Sequence, residues 1–114
     1  LKEHAQAFLT SPDPVINNAS GPVIDFATKN RLPAMYAAPE FIERGGLMNY
    51  APDYGELWRR SATYVDRILK GAKPADLPVE QPTKFYFTIN LKAAKQIGLT
   101  IPPNVLAPAD RVIK

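Results

Sequence analysis

Asp13 is the residue of this sequence best placed for binding chemistry. It stands between Pro12 and Pro14 in the run LTSPDP, just after a short apolar stretch, with Asn17 and Asn18 close behind. A carboxylate at the end of a strand can accept hydrogen bonds from a ligand ammonium or hydroxyl, and it serves equally as a turn former. The backbone N–H groups of residues 15–17 would open a helix there and could receive a ligand carboxylate. Tyr36 and Tyr50 each close an apolar run. A ring with one polar tip suits the wall of a small-molecule pocket as well as it suits a core. Asn49 precedes Tyr50, so in a regular strand the two face opposite ways and only one can meet a pocket. The ligand-binding candidates are therefore Asp13 and Asn17 with one of Tyr36 or Tyr50.

Catalysis and metal binding find little support. His4 is the only histidine and there is no cysteine. A catalytic triad needs an imidazole oriented by an acid, and His4 lies at the very start of the chain. No His, Cys or Asp residues cluster at metal-ligand spacing, and neither a Walker loop nor a GxGxxG loop occurs. The reading is of a non-enzyme without cofactor or metal. Net charge is +3, but the basic residues are interleaved with acids, so no nucleic-acid partner follows.

An alternation of strands and helices must position the candidates. Apolar runs predict strands over 7–10, 32–37 and 46–50, and period-two alternation predicts one over 85–89. Residues 1–6 read as a weak helical end. Residues 15–30 read as a helix with a fault at Gly21-Pro22, and 39–44 as a short helix stopped by Gly45. The long helix is the clearest element. Asp53 is its N-cap, with Glu56 at capping-box spacing, and Gly71 with Pro74 ends it. Leu57, Trp58, Ser61, Ala62, Val65, Ile68 and Leu69 share one face, which predicts a buried stripe. Asn90 should cap a last helix through residue 97, followed by an extended stretch and a tail with a short helical turn broken at Pro108.

The fold class is α/β, a parallel sheet with flanking helices, in which ligands meet loops at the C-terminal ends of strands. A length of 114 residues with 46% hydrophobic and 22% charged residues suits one small globular domain, and 12 prolines punctuate it. No apolar run approaches the ~20 residues of a membrane span. On residues alone, a flavodoxin-like regulatory or enzymatic domain is the alternative to a binding module. The missing nucleophile–base pair and phosphate loop count against it.

Four runs carry a family resemblance: LTSPDP, RLPAMY, GGLMNYAPDYGELWRRSATYVDRILKGAKPADLPVEQPTKF and INLKAAKQIGLTIPPNVLAPAD. Together they cover nearly the whole chain from about Phe8. The chain resembles the C-terminal part of bacterial ABC-transporter substrate-binding proteins of the tryptophan/tyrosine-binding type. The resemblance implies that residues 1–114 are the end of the second lobe of a two-lobed type I periplasmic binding protein, plus hinge-crossing segments. It implies the extracytoplasmic solute-binding component of an ABC importer, in the periplasm or as a cell-surface lipoprotein. The ligand would be a small molecule, such as an aromatic amino acid or related carboxylate, held in an interlobe cleft that the Asp13 loop faces. The partner would be a membrane permease; Arg59 and Arg60 read first as a solvated helix face, with docking to the permease as the alternative. An N-terminal part with its signal would be missing, and the fragment would self-associate or pair with that part. The proline-rich connection over 73–82 could then span between protomers.

Overall fold

The structure, a computed structural model, describes residues 5–114. His4 and most of the helical end expected over 1–6 lie outside the described residues. Five strands form one sheet in the order β1 to β5: β1 Phe8–Leu9, β2 Ala34–Tyr36, β3 Met48–Pro52, β4 Phe85–Asn90 and β5 Arg111–Ile113. β1 runs parallel to β2, β2 to β3, and β4 to β5. β3 and β4 meet differently. The Asn90 N–H donates to the Leu47 carbonyl at 2.8 Å, and the Asp53 N–H to the Lys84 carbonyl at 2.9 Å. As one strand index rises the other falls, which is antiparallel pairing. The sheet is thus mostly parallel but mixed. At this one junction the expected parallel sheet turns antiparallel, because the chain comes back beside β3 in the opposite sense.

Helices fill the connections: α1 Pro14–Asn18 and α2 Ser20–Lys29 after β1, α3 Glu40–Glu43 after β2, α4 Tyr54–Leu69 after β3, and α5 Leu91–Gln96 with α6 Pro103–Leu106 after β4. The fault expected at Gly21-Pro22 falls at Ala19 instead. Pro22 sits in the first turn of α2, where no intrahelical bond needs its missing N–H. Ser20, Ile24 and Ala27 recur at helical spacing and are the buried face of α2. The tail holds a strand that the sequence did not announce. β5 is three residues long and half-exposed, and Asp110 secures its start: its N–H donates to the Phe87 carbonyl, and its carboxylate accepts from the Phe87 N–H at 2.8 Å.

The chain divides into two compact units. The first runs up to Ala51 and resumes over Tyr86–Lys114. It holds two apolar clusters. One joins Ile24, Ala27, Ala34, Tyr36, Ala38 and Phe41; the other joins Leu47, Ile89, Ala93, Ala94 and Ile101. Gly46 is fixed by space: a Cβ there would come within 2.8 Å of both the Phe41 carbonyl oxygen and Tyr36 Cε2.

The second unit, Pro52–Phe85, consists of α4, a 3-10 turn over Pro74–Asp76 and the run that leads to β4. Asp53 caps α4 as expected, accepting from the Glu56 N–H at 3.0 Å. The stripe on α4 is not buried, however. No residue of the helix is, and Trp58 is 75% exposed and Leu69 82%. The connection over 73–82 is extended only in part. The Tyr64 hydroxyl donates to the Pro78 carbonyl at 2.7 Å, and Arg60 pairs with Glu80, so this stretch folds back along its own helix. A groove of about 350 Å3 lies between them, lined by Leu57, Tyr64, Ile68, Leu77 and Pro78 among others.

Candidate functional site at the strand ends

Parallel pairing brings the C-terminal ends of β1, β2 and β3 to one edge of the sheet. The register pairs Leu9 with Met35, and Tyr36 with Asn49. Extended by one step, it puts Thr10, Tyr36 and Asn49 in one row, and Ser11, Ala37 and Tyr50 in the next. Side chains in one row share a face, and successive rows alternate. This alternation decides between the two tyrosines. Thr10, Tyr36 and Asn49 are all buried, at 7%, 1% and 2% exposure, whereas Tyr50 on the opposite face is 54% exposed.

Tyr36 is therefore a core residue, and its expected place on a pocket wall is corrected. Its ring stacks on Phe41 with centroids 4.5 Å apart and meets Phe8 edge-on at 6.1 Å. Burial disfavours the phenolate and pushes its pKa up to about 12. Tyr50 lies edge-on to Phe87 with ring centroids 6.4 Å apart, and half its surface is open.

Asp13 follows β1 by four residues and is half-buried. Its Oδ1 accepts from the N–H of Val15 at 2.8 Å and of Ile16 at 3.2 Å. The Asn17 N–H donates to the Asp13 carbonyl at 2.9 Å. All three amides expected to receive a ligand carboxylate are thus taken by Asp13 itself. The cradle is corrected for a simple reason: the residue in front of it is an N-cap, and an N-cap satisfies these donors. Oδ2 stays outside the cap. Asn17 is exposed on α1, while Tyr50, near the end of β3, faces away from the buried Tyr36. β1 and β3 are two strand spacings apart, roughly 10 Å.

Two residues of this edge escaped the sequence reading. Thr10 Oγ1 accepts from the Ala37 N–H at 3.1 Å, and Asn49 Nδ2 donates to the Tyr36 carbonyl at 3.2 Å. The available signal was a polar residue in an otherwise apolar strand, FLT in one case and MNY in the other. Among the described residues no three His, Cys, Asp or Glu side chains could hold a metal ion, and no helix is long and apolar enough to cross a membrane.

The family of ABC transporter substrate binding proteins matches residues 1–113. No curated protein matches the chain. Among solved structures, a conserved domain protein from Vibrio cholerae O1 biovar eltor str. N16961 is 32% identical with a TM-score of 0.88, over 94% of this chain and 36% of its own. An ABC domain in complex with L-Trp from Streptococcus pneumoniae is 32% identical with a TM-score of 0.84, over 95% of this chain and 38% of its own. A ligand-free, open substrate-binding protein with adhesive properties from Clostridium difficile is 23% identical with a TM-score of 0.62, over 93% and 35%. That last likeness is one of fold. The chain spans little more than a third of the length of the solved relatives it matches. With a family match over nearly every residue and an α/β sheet shared with substrate-binding relatives, this chain belongs to the ABC transporter substrate-binding protein family.

Proposed function

We propose that the protein to which these residues belong is the extracytoplasmic solute-binding component of an ABC importer. It takes an aromatic amino acid or a related small carboxylate. The observation that carries the ligand class is the L-Trp complex of the Streptococcus pneumoniae relative, 32% identical over 95% of this chain. In this reading the first unit belongs to the second lobe. The second unit is the stretch in which the chain crosses towards the other lobe and returns, and the division at Ala51 and Tyr86 supports this. Asp13 through Oδ2, Asn17 and Tyr50 contribute one wall of an interlobe cleft. A carboxylate suits a ligand ammonium, a side-chain amide suits a ligand carboxylate, and an open phenol ring suits an aromatic face. The apolar stripe of α4 is covered by the remainder of the longer protein or by a second copy. A membrane permease is the partner, and the periplasm or the outer cell surface is the location.

Titration calorimetry of the full-length protein with L-tryptophan, L-tyrosine and L-phenylalanine tests the ligand class. The expected result is micromolar or tighter binding of at least one, weakened by Asp13→Asn and by Tyr50→Ala. Binding of none of the three, or binding that both variants leave unchanged, would refute it.

A further inference from the structure

The peptide group between Tyr36 and Ala37 is held from both sides by side chains of the neighbouring strands. Its N–H donates to Thr10 Oγ1, and its C=O accepts from Asn49 Nδ2. We propose that Thr10 and Asn49 are positioning residues for ligand binding: by clamping this one peptide they fix the spacing of the three strand ends that carry Asp13 and Tyr50. The proposal rests on the solute-binding reading above and adds the device that keeps its wall in shape.

Three observations support it. First, both side chains are deeply buried, Thr10 at 7% exposure and Asn49 at 2%. A buried hydroxyl or amide is costly unless bonded, and valine or leucine would fill either place without that cost. Both polar groups do find partners, and both partners belong to the same peptide. Second, the backbone ladder between β1 and β2 runs out at this row. The Thr10 N–H donates to the Met35 carbonyl at 3.0 Å. One residue further, the chain turns away through Ser11 and Pro12 towards Asp13. The Thr10 hydroxyl extends the ladder one step beyond the strand, three residues before the Asp13 cap. Third, Asn49 reaches the same peptide from β3, one residue before Tyr50. The clamp thus links the chain on both sides of the proposed contacts. Binding groups must be held to within about 0.5 Å, and buried hydrogen bonds behind them supply that support.

The test uses the full-length protein. Thr10→Val keeps the shape and removes the hydroxyl, and Thr10→Ser keeps the hydroxyl. Asn49→Ser shortens the other arm and serves if Thr10→Val does not fold. Amide hydrogen exchange is read at Ala37 and Thr10, whose N–H groups donate to Thr10 Oγ1 and the Met35 carbonyl, and L-tryptophan affinity by calorimetry. Thr10→Val should quicken exchange at these amides and weaken L-tryptophan binding by about tenfold, a change on the scale of one net hydrogen bond. Thr10→Ser should restore both, and Asn49→Ser should reproduce the loss. Unchanged exchange in the valine variant would overturn the clamp. Quickened exchange with unchanged affinity would overturn its role in binding. If the wild type binds no aromatic amino acid, the ligand reading fails by itself. Exchange at Ala37 and Thr10 then still decides: quickening that serine reverses supports the positioning, and unchanged exchange sinks it.

Discussion

Tyr36 makes the stability of this fold sensitive to alkali, through one hydroxyl. Its pKa is pushed from 10.0 to about 12 by burial. In the unfolded chain the phenol ionises near 10, so between these values the unfolded state holds fewer protons than the native one. Stability then falls as pH rises. The contribution is intact below pH 10 and fully lost above about pH 12. A tenfold difference in acidity is worth about 1.4 kcal/mol, so the gap between the two states corresponds to a loss on the order of 2–3 kcal/mol. Tyr36→Phe keeps the ring stacked on Phe41 at 4.5 Å and against Phe8 while removing the titrating group. The assay is urea unfolding at pH 9, 10.5 and 11.5, followed by circular dichroism. The wild type should lose stability with pH more steeply than the phenylalanine variant, and the gap between them should open above pH 10. Parallel pH profiles would mean that Tyr36 ionises as easily in the folded protein as outside it, and that the core placement is wrong.

Gly46→Ala should destabilise by roughly 1–3 kcal/mol in thermal unfolding, because its Cβ would press on the Phe41 carbonyl and the Tyr36 ring at 2.8 Å. Asp53→Ala removes the α4 cap and one end of the ion pair with Lys84 Nζ at 3.4 Å, so a loss of about 1–2 kcal/mol is expected. Lys84→Ala, whose side chain is 55% exposed, should cost under about 1 kcal/mol in the same urea titration. Trp58 is the only tryptophan, so its fluorescence reports on the α4 stripe directly. It should emit as a water-exposed indole, open to iodide quenching, in the 114-residue chain, and be shielded in the longer protein.

Where local rules act alone, the sequence was readable. Asp53 and Asn90 each cap a helix at the expected place, because the capping oxygen and the amides it satisfies are two or three residues apart. The alternation over 85–89 became β4 with one residue added. Long-range pairing was harder to read. Nothing local distinguishes a β3 followed by a parallel crossover from one whose partner returns beside it, since the pairing joins residues such as Leu47 and Asn90 that are far apart in the chain. β5 is too short for periodicity to register. The two tyrosines were indistinguishable by type and by flanking residues. Register settled them, and register is a property of three strands together. The α4 stripe shows the converse: its helical period was right, but a period tells which residues want cover and not whether cover is present.

The antiparallel meeting of β3 and β4 has a consequence for how this chain could be cut and rejoined. Asp53 and Lys84 share a backbone hydrogen bond and an ion pair, so the excursion between them starts and finishes at one point. Every residue of the two core clusters lies outside Pro52–Phe85. Replacing residues 54–83 by a two-residue Asn-Gly turn would convert the pair into an ordinary hairpin, whose primed turn matches the strand twist. The segment is, in topological terms, a detachable insertion in a hairpin loop. A sheet with both cores intact could therefore be obtained from a shorter gene, and a different excursion could be grafted at the same two residues while every residue of both core clusters stays unchanged.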